Sequence, residues 1–169
     1  MSASPENQHL AETPPSDTLN LLLPVDATER SRWGINYAIW RKNSGRNVAV
    51  SLLTVAEPIT SWQVMRFYTQ ERVRQFQAER GKCLLEDAAQ SLQKAGIPVQ
   101  MNFREGDIVF EILDVAEQLE CNEIVLPIPY PRWARLFSLD IVREVVRRQR
   151  TVPVTTVSPI GRPERSWQQ

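Results

Sequence analysis

Histidine is almost missing from this chain of 169 residues: the one copy, His9, lies in a stretch rich in Ser, Pro, Glu and Asn. That removes most histidine-based catalysis and most zinc chemistry. Cysteine is sparse too. Cys83 and Cys121 stand far apart in no metal-like spacing, which points to a reducing compartment and two buried thiols, with neither metal site nor nucleophile. No apolar run approaches the roughly 20 residues of a membrane span. No basic-then-apolar leader opens the chain, so a cytoplasmic protein is expected. The formal net charge is zero, and no global field favours nucleic acid or membrane. Lysine is scarce, three against seventeen arginines. Arginine is the better forked ligand for carboxylate and phosphate, but so many mostly form solvated faces.

What is present alternates between two periods. Residues 1–17 have almost nothing apolar and read as a disordered tail. Leu19 to Val25 is apolar apart from Asn20, a strand buried on both faces. A helix from about Glu29 to Lys42 follows, with Asp26 or Thr28 as cap and Gly34, Tyr37 and Ala38 giving it a narrow face for a sheet. Val48 to Val55 is the second strand. A helical region from about Ser61 to Ala95 carries Val64, Met65, Phe67, Tyr68, Val73 and Phe76 in its first half and Leu84, Leu85, Ala88 and Leu92 in its second, with Gly81 as a possible bend. Val99, Met101 and Phe103 alternate with polar residues as a third strand. After Gly106-Asp107, the residues Ile108, Ile112, Val115, Ala116 and Leu119 make one face of an amphipathic helix. Ile124 to Ile128, a helix from about Ser138 to Arg150 and Val152 to Val157 complete the order, and residues 159–169 read as a polar tail. Such alternation predicts an α/β domain over residues 18–158, a parallel sheet with helices on both faces.

One crossing lacks what its position asks for. In an α/β protein the loop after a strand's carboxyl end is the usual ligand site, and loops that bind phosphate there use glycines and free backbone N–H groups. Residues 126–140 contain no glycine, and Pro127, Pro129 and Pro131 have no N–H.

The order and spacing of several motifs resemble the universal stress protein family over about residues 19–157. They are Val25-Asp26-Ala-Thr28 with Ser31, Gly34 and Ala38; Gly106-Asp107 with Glu111, Ile112, Val115 and Ala116; Glu123-Ile-Val-Leu126; and Val142-Arg-Glu144-Val-Val146 before Val152-Pro153-Val154-Thr-Thr-Val157. The resemblance implies a Rossmann-like five-stranded parallel sheet in the order 3-2-1-4-5. It also implies ATP or AMP binding in many members, through Gly-x-x-Gly, nine residues, then Gly-Ser/Thr. Placed without gaps, those four positions fall on Pro127, Tyr130, Asp140 and Ile141, and all four are lost. Pro24, Asp26 and Val55 match positions that in the family lie by adenine and ribose, though each also reads as a strand end, a helix cap and core. Asp140 suits a helix start by roughly 0.3–1 kcal/mol. Against a phosphate at about 4 Å the same carboxylate costs about 4 kcal/mol at an effective dielectric of about 20.

The expected function is therefore a universal stress protein-like regulatory and interaction module without ATP or AMP as cofactor. It has no enzymatic activity and no metal, and it acts as a homodimer with an unknown protein partner in stress response. The last strand commonly pairs across a two-fold axis in this family, so Val154, Thr155, Thr156 and Val157 are the implied dimer strand. The alternative is a nucleotide or small-anion binder in which Arg132 and Arg135 replace the lost amides. Arg132, Arg135, Arg143, Arg147, Arg148 and Arg150 against Asp140 and Glu144 give the last helix and its approach a net charge of +4, read as a solvated face, not a nucleic-acid site.

Overall fold

A computed structural model of the chain describes residues 17–59, 66–129 and 141–164. The expected order of elements is the one that forms. The strands are β1 (Leu19–Pro24), β2 (Val48–Ala56), β3 (Val99–Glu105), β4 (Glu123–Pro127) and β5 (Val154–Val157). The helices are α1 (Ser31–Asn43), α2 (Gln70–Lys94), α3 (Ile108–Gln118) and α4 (Ile141–Arg148). All strand pairs are parallel and the sheet order is β3-β2-β1-β4-β5, as expected.

Strand alternation builds two cores from one sheet. On one face Leu21, Leu23, Val50 and Leu52 pack with Ile35 and Ala38 of α1 and Leu85, Ala88 and Leu92 of α2. On the other, Leu22, Leu53, Ile124 and Leu126 pack with Ile112, Val115 and Ala116 of α3 and Val142 and Val145 of α4. The continuous apolar run of β1 is thus explained: it is central, and successive side chains enter opposite cores. No helix among the described residues is long and apolar enough to cross a membrane.

Three local expectations fail. Helix α2 begins at Gln70, with the Thr69 side chain accepting from the Arg72 amide at 3.3 Å. Phe67 and Phe76 are 77% and 63% exposed and Tyr68 is also exposed, so the first half of the expected helical region buries no aromatic core; Val64 and Met65 lie outside the described residues. Gly81 is a contact point within the continuous helix. A Cβ there would stand 2.6 Å from the Phe103 ring of β3, so glycine lets α2 lie close on the sheet's edge. Cys121 is buried, but Cys83 is exposed on α2. Burial raises the Cys121 thiol to about 11.

The expected polar tail is in part structured. Residues 158–164 turn back onto β5, with an antiparallel bridge between Val157 and Pro163.

Candidate functional site

In this topology β1 is followed by a crossover to β2 on one side, and β4 leaves on the other. The switch point lies between their carboxyl ends, where ligands of open α/β sheets bind. The β1–β2 register pairs Pro24 with Leu53, which sets Val55 level with Asp26. Pro24 and Val55 are half-buried, and Val55 packs on the α3–α4 core. The Val25 amide donates to the Leu53 carbonyl at 2.7 Å and the Thr54 hydroxyl to the Val25 carbonyl at 3.1 Å. The register therefore sets the three residues expected beside a nucleoside at the carboxyl ends of two neighbouring strands.

Asp26 is engaged locally and does not cap α1. Its Oδ1 accepts from the Thr28 amide at 2.8 Å, the Thr28 hydroxyl at 2.6 Å and the Ser31 hydroxyl at 2.7 Å. The Asp26 amide in turn donates to Ser31 Oγ at 2.8 Å. The residue preceding α1 is Arg30, which makes no side-chain cap. The Asp-x-Thr spacing thus closes an Asx-type turn, a local alternative to capping that the short side chains of Asp and Thr favour.

Arg30 is the residue that sequence reading missed. Its guanidinium donates to the Ile128 carbonyl, just beyond β4, and its cation stands 5.2 Å from the Trp33 ring centroid. One side chain thereby bridges the start of α1 and the exit of β4, the two banks of the crevice. Glu29-Arg30 reads as an ordinary helix-start pair in the sequence; only the β1–β4 adjacency brings it to Ile128.

On the β4 side, Pro127 is the last residue of the strand, and the Ile128 amide donates to the Val157 carbonyl at 3.0 Å. That amide is committed to the sheet, and Pro127 and Pro129 have none to offer. Ile141 opens α4 and packs, partly buried, on the α3–α4 core. Tyr130, Arg132, Arg135 and Asp140 lie outside the described residues.

A cavity of about 110 Å³ lies beside Asp26, lined by Ser31, Ile35, Leu84, Asp87 and Ser91 among others. It opens between α1 and α2, and neither Pro24 nor Val55 lines it. Pockets that take ligands of nucleotide size run to about 300–1,000 Å³. A larger groove of about 710 Å³ runs along α3 and α4, lined by residues that include Phe110, Leu113, Glu117 and Arg148; it shares no residue with the crevice. On α4, Glu144 accepts from Arg147 Nε at 2.9 Å and from Arg148 Nε at 2.6 Å. The hydrogen bond from Arg147 leads in holding its carboxyl below the usual range. Two of the arginines of the basic face are therefore internally paired. No cluster of metal-ligating side chains occurs among the described residues.

The implied dimer strand sits at the sheet's outer edge but is not a bare one. Val157 and Thr156 are buried. The Thr156 carbonyl accepts from the Glu164 amide at 2.8 Å, and the Thr156 hydroxyl donates to the Glu164 carbonyl at 2.5 Å. Val154 and Thr155 are half-buried.

Comparison with solved structures gives the same fold at low identity. A universal stress protein from Burkholderia pseudomallei is 15% identical, with TM-score 0.64, covering 86% of this chain and 98% of its own. One from Arabidopsis thaliana, solved with AMP bound, is 16% identical with TM-score 0.59, covering 83% of this chain and 91% of its own. A universal stress protein in complex with cAMP is 13% identical with TM-score 0.60, covering 83% and 98%. Comparison with curated proteins gave no match. The profile of the universal stress protein family matches residues 18–158. With the sheet order and the motifs of β1, α3 and β5, that match places the chain: it belongs to the universal stress protein family.

Proposed function

We propose that this protein is a regulatory and interaction module that has given up ATP binding and performs no catalysis, working in the cytoplasm in stress response. The observation that carries the reading is the bridge from Arg30 to the Ile128 carbonyl. It stands across the crevice between the carboxyl ends of β1 and β4. The departures from the motif at Pro127, in place of its first glycine, and at Ile141, in place of its Ser/Thr, support it from the sequence side. Phosphate binding of the glycine-loop kind needs several free amides converging on one point. Here the Ile128 amide is used by β5 and its neighbours on both sides are prolines.

The test is calorimetric titration of the full chain with ATP and with AMP, each with magnesium. No heat of binding is expected for either. A micromolar affinity for ATP refutes the reading.

A second reading has one observation in its favour. The Arg30 guanidinium already brings a positive charge to the crevice, so a small anion or a nucleotide could be held there with Arg132 and Arg135 in place of amides. It predicts a thermal shift with a nucleotide that Arg132→Ala/Arg135→Ala abolishes; no shift in the parent protein defeats it.

Self-association as a homodimer through β5 belongs to the first reading. The edge positions are Val154, Thr155, Thr156 and Val157, and the return of residues 162–164 onto Thr156 and Ser158 sets a condition on it.

A further inference from the structure

The outward edge of β5 is half occupied by the chain itself. Toward β4, the Ile124 amide donates to the Pro153 carbonyl at 2.9 Å and the Ile128 amide to the Val157 carbonyl at 3.0 Å. Odd-numbered residues thus face β4, and Thr156 and Ser158 face away. Their outward groups meet residues 162–164: Glu164 N donates to Thr156 O at 2.8 Å, and Ser158 N donates to Arg162 O at 2.9 Å. Between them Val157 and Pro163 form the antiparallel bridge. This is the hydrogen-bond pattern of an added antiparallel strand.

The return is anchored at a second place. The turn at its tip rests on α1, where the Asn36 side chain donates to the Pro159 carbonyl at 3.3 Å and the Arg162 guanidinium lies 4.5 Å from the Trp40 ring centroid. Gly161 has φ +70, and a Cβ there would stand 2.5 Å from the Tyr37 backbone nitrogen. The contact is backbone on backbone and cannot be relieved by a rotamer change, so glycine is needed twice over, for its dihedral and for its size.

We propose that residues 158–164 are an edge guard: a strap that holds β5's outer edge against a second copy of this chain, so that dimerisation through β5 requires its release. An edge strand with unpaired N–H and C=O groups is a template for another extended strand, and the chain supplies that strand itself. A second copy's β5 competes for the same Thr156 and Ser158 groups. The two arrangements exclude one another, and the strap's closed fraction sets the apparent dimer affinity. This goes beyond the loss of ATP binding, which calorimetry tests on its own.

Two full-length variants open the strap at different points. Gly161→Val drives it off α1. Glu164→Pro deletes the amide that donates to Thr156 and leaves α1 untouched. The parent and both variants are compared by sedimentation velocity over a concentration series. Hydrogen exchange at Ser158 and thermal unfolding are followed in parallel. The parent is expected to be monomeric when dilute, with a slowly exchanging Ser158 amide, and to dimerise only at the top of the concentration series. The variants are expected to fold, to exchange faster at Ser158 when dilute, and to dimerise at least about a hundredfold more tightly, because both copies must open and a strap open less than about a tenth of the time enters squared. A parent that is already dimeric to the same degree as the variants, with Ser158 protected, overturns the proposal because strap and dimer then coexist. Folded variants that stay monomeric overturn it because the freed edge attracts no second copy. Unfolding of both makes the strap part of the core and overturns it too.

Discussion

The Tyr37→Phe substitution removes one oxygen from a buried polar contact between α1 and β4. Tyr37 is 3% exposed and Glu123 is 9% exposed. The phenol donates to the Glu123 carboxylate, 3.0 Å from Oε1 and 3.1 Å from Oε2. Burial first, then the carboxylate's charge, pushes the Tyr37 phenol far above its ordinary range, so it is a donor throughout the usual pH range. A hydrogen bond to a charged group contributes about 1.5–3 kcal/mol net, and stranding the buried acceptor keeps the loss within that range. The expected loss is about 2 kcal/mol. For a domain of this size that lowers Tm by about 4–8 °C. Urea unfolding of parent, Tyr37→Phe, Glu123→Gln and the double variant measures it. The cycle is expected to return a coupling of about 1–2 kcal/mol, since the two groups touch. A Tyr37→Phe loss below about 0.5 kcal/mol, or additive single losses, would show that Glu123 is satisfied without the phenol and would refute the reasoning.

Two further outcomes are expected. Gly81→Ala gains about 1 kcal/mol of helix propensity but sets a methyl 2.6 Å from the Phe103 ring. Overpacking costs about 1–3 kcal/mol, so a net loss is expected in urea unfolding, relieved when Phe103→Leu is added; a stabilised single variant contradicts the close contact. The Cys121 thiol, raised by burial from 9.0 to about 11, contributes stability that is fully present below its unfolded value and is lost as pH rises through the folded one. Between pH 9 and 11 that is at most about 3 kcal/mol; Cys121→Ala should flatten the alkaline limb of the stability profile, and an unchanged limb counts against it.

Much of the fold was legible because each element's period is local. The run of leucines in β1, the i, i+4, i+7 spacing of Ile108, Ile112 and Val115 and the alternation in β3 each follow from one element facing one or two cores. The family motifs then fixed the sheet order, as the β3-β2-β1-β4-β5 arrangement shows. Periodicity misled around the start of α2: Phe67 and Tyr68 precede the helix and Phe76 lies on its exposed side, so none of the three is core.

The candidate site was legible in part, through Pro24, Asp26 and Val55 and through the positions that depart from the family motif. The resemblance sets Pro127 where a glycine is expected and Ile141 where a Ser or Thr is expected, because a motif position needs only a count of residues. The sequence by itself also determined that little histidine or metal chemistry is open to the chain. Tertiary structure decided what stands in the vacated places. Arg30 reaches Ile128 because β1 and β4 are neighbours, a pairing between residues far apart in the chain. Asp26 spends its oxygen on Thr28 and Ser31 because the β1–α1 turn closes on itself. The tail of β5 became its own edge partner because Gly161 fits against the backbone of α1. The first and the last are contacts between segments whose separate patterns carry no trace of the other, and so only the folded chain reveals them.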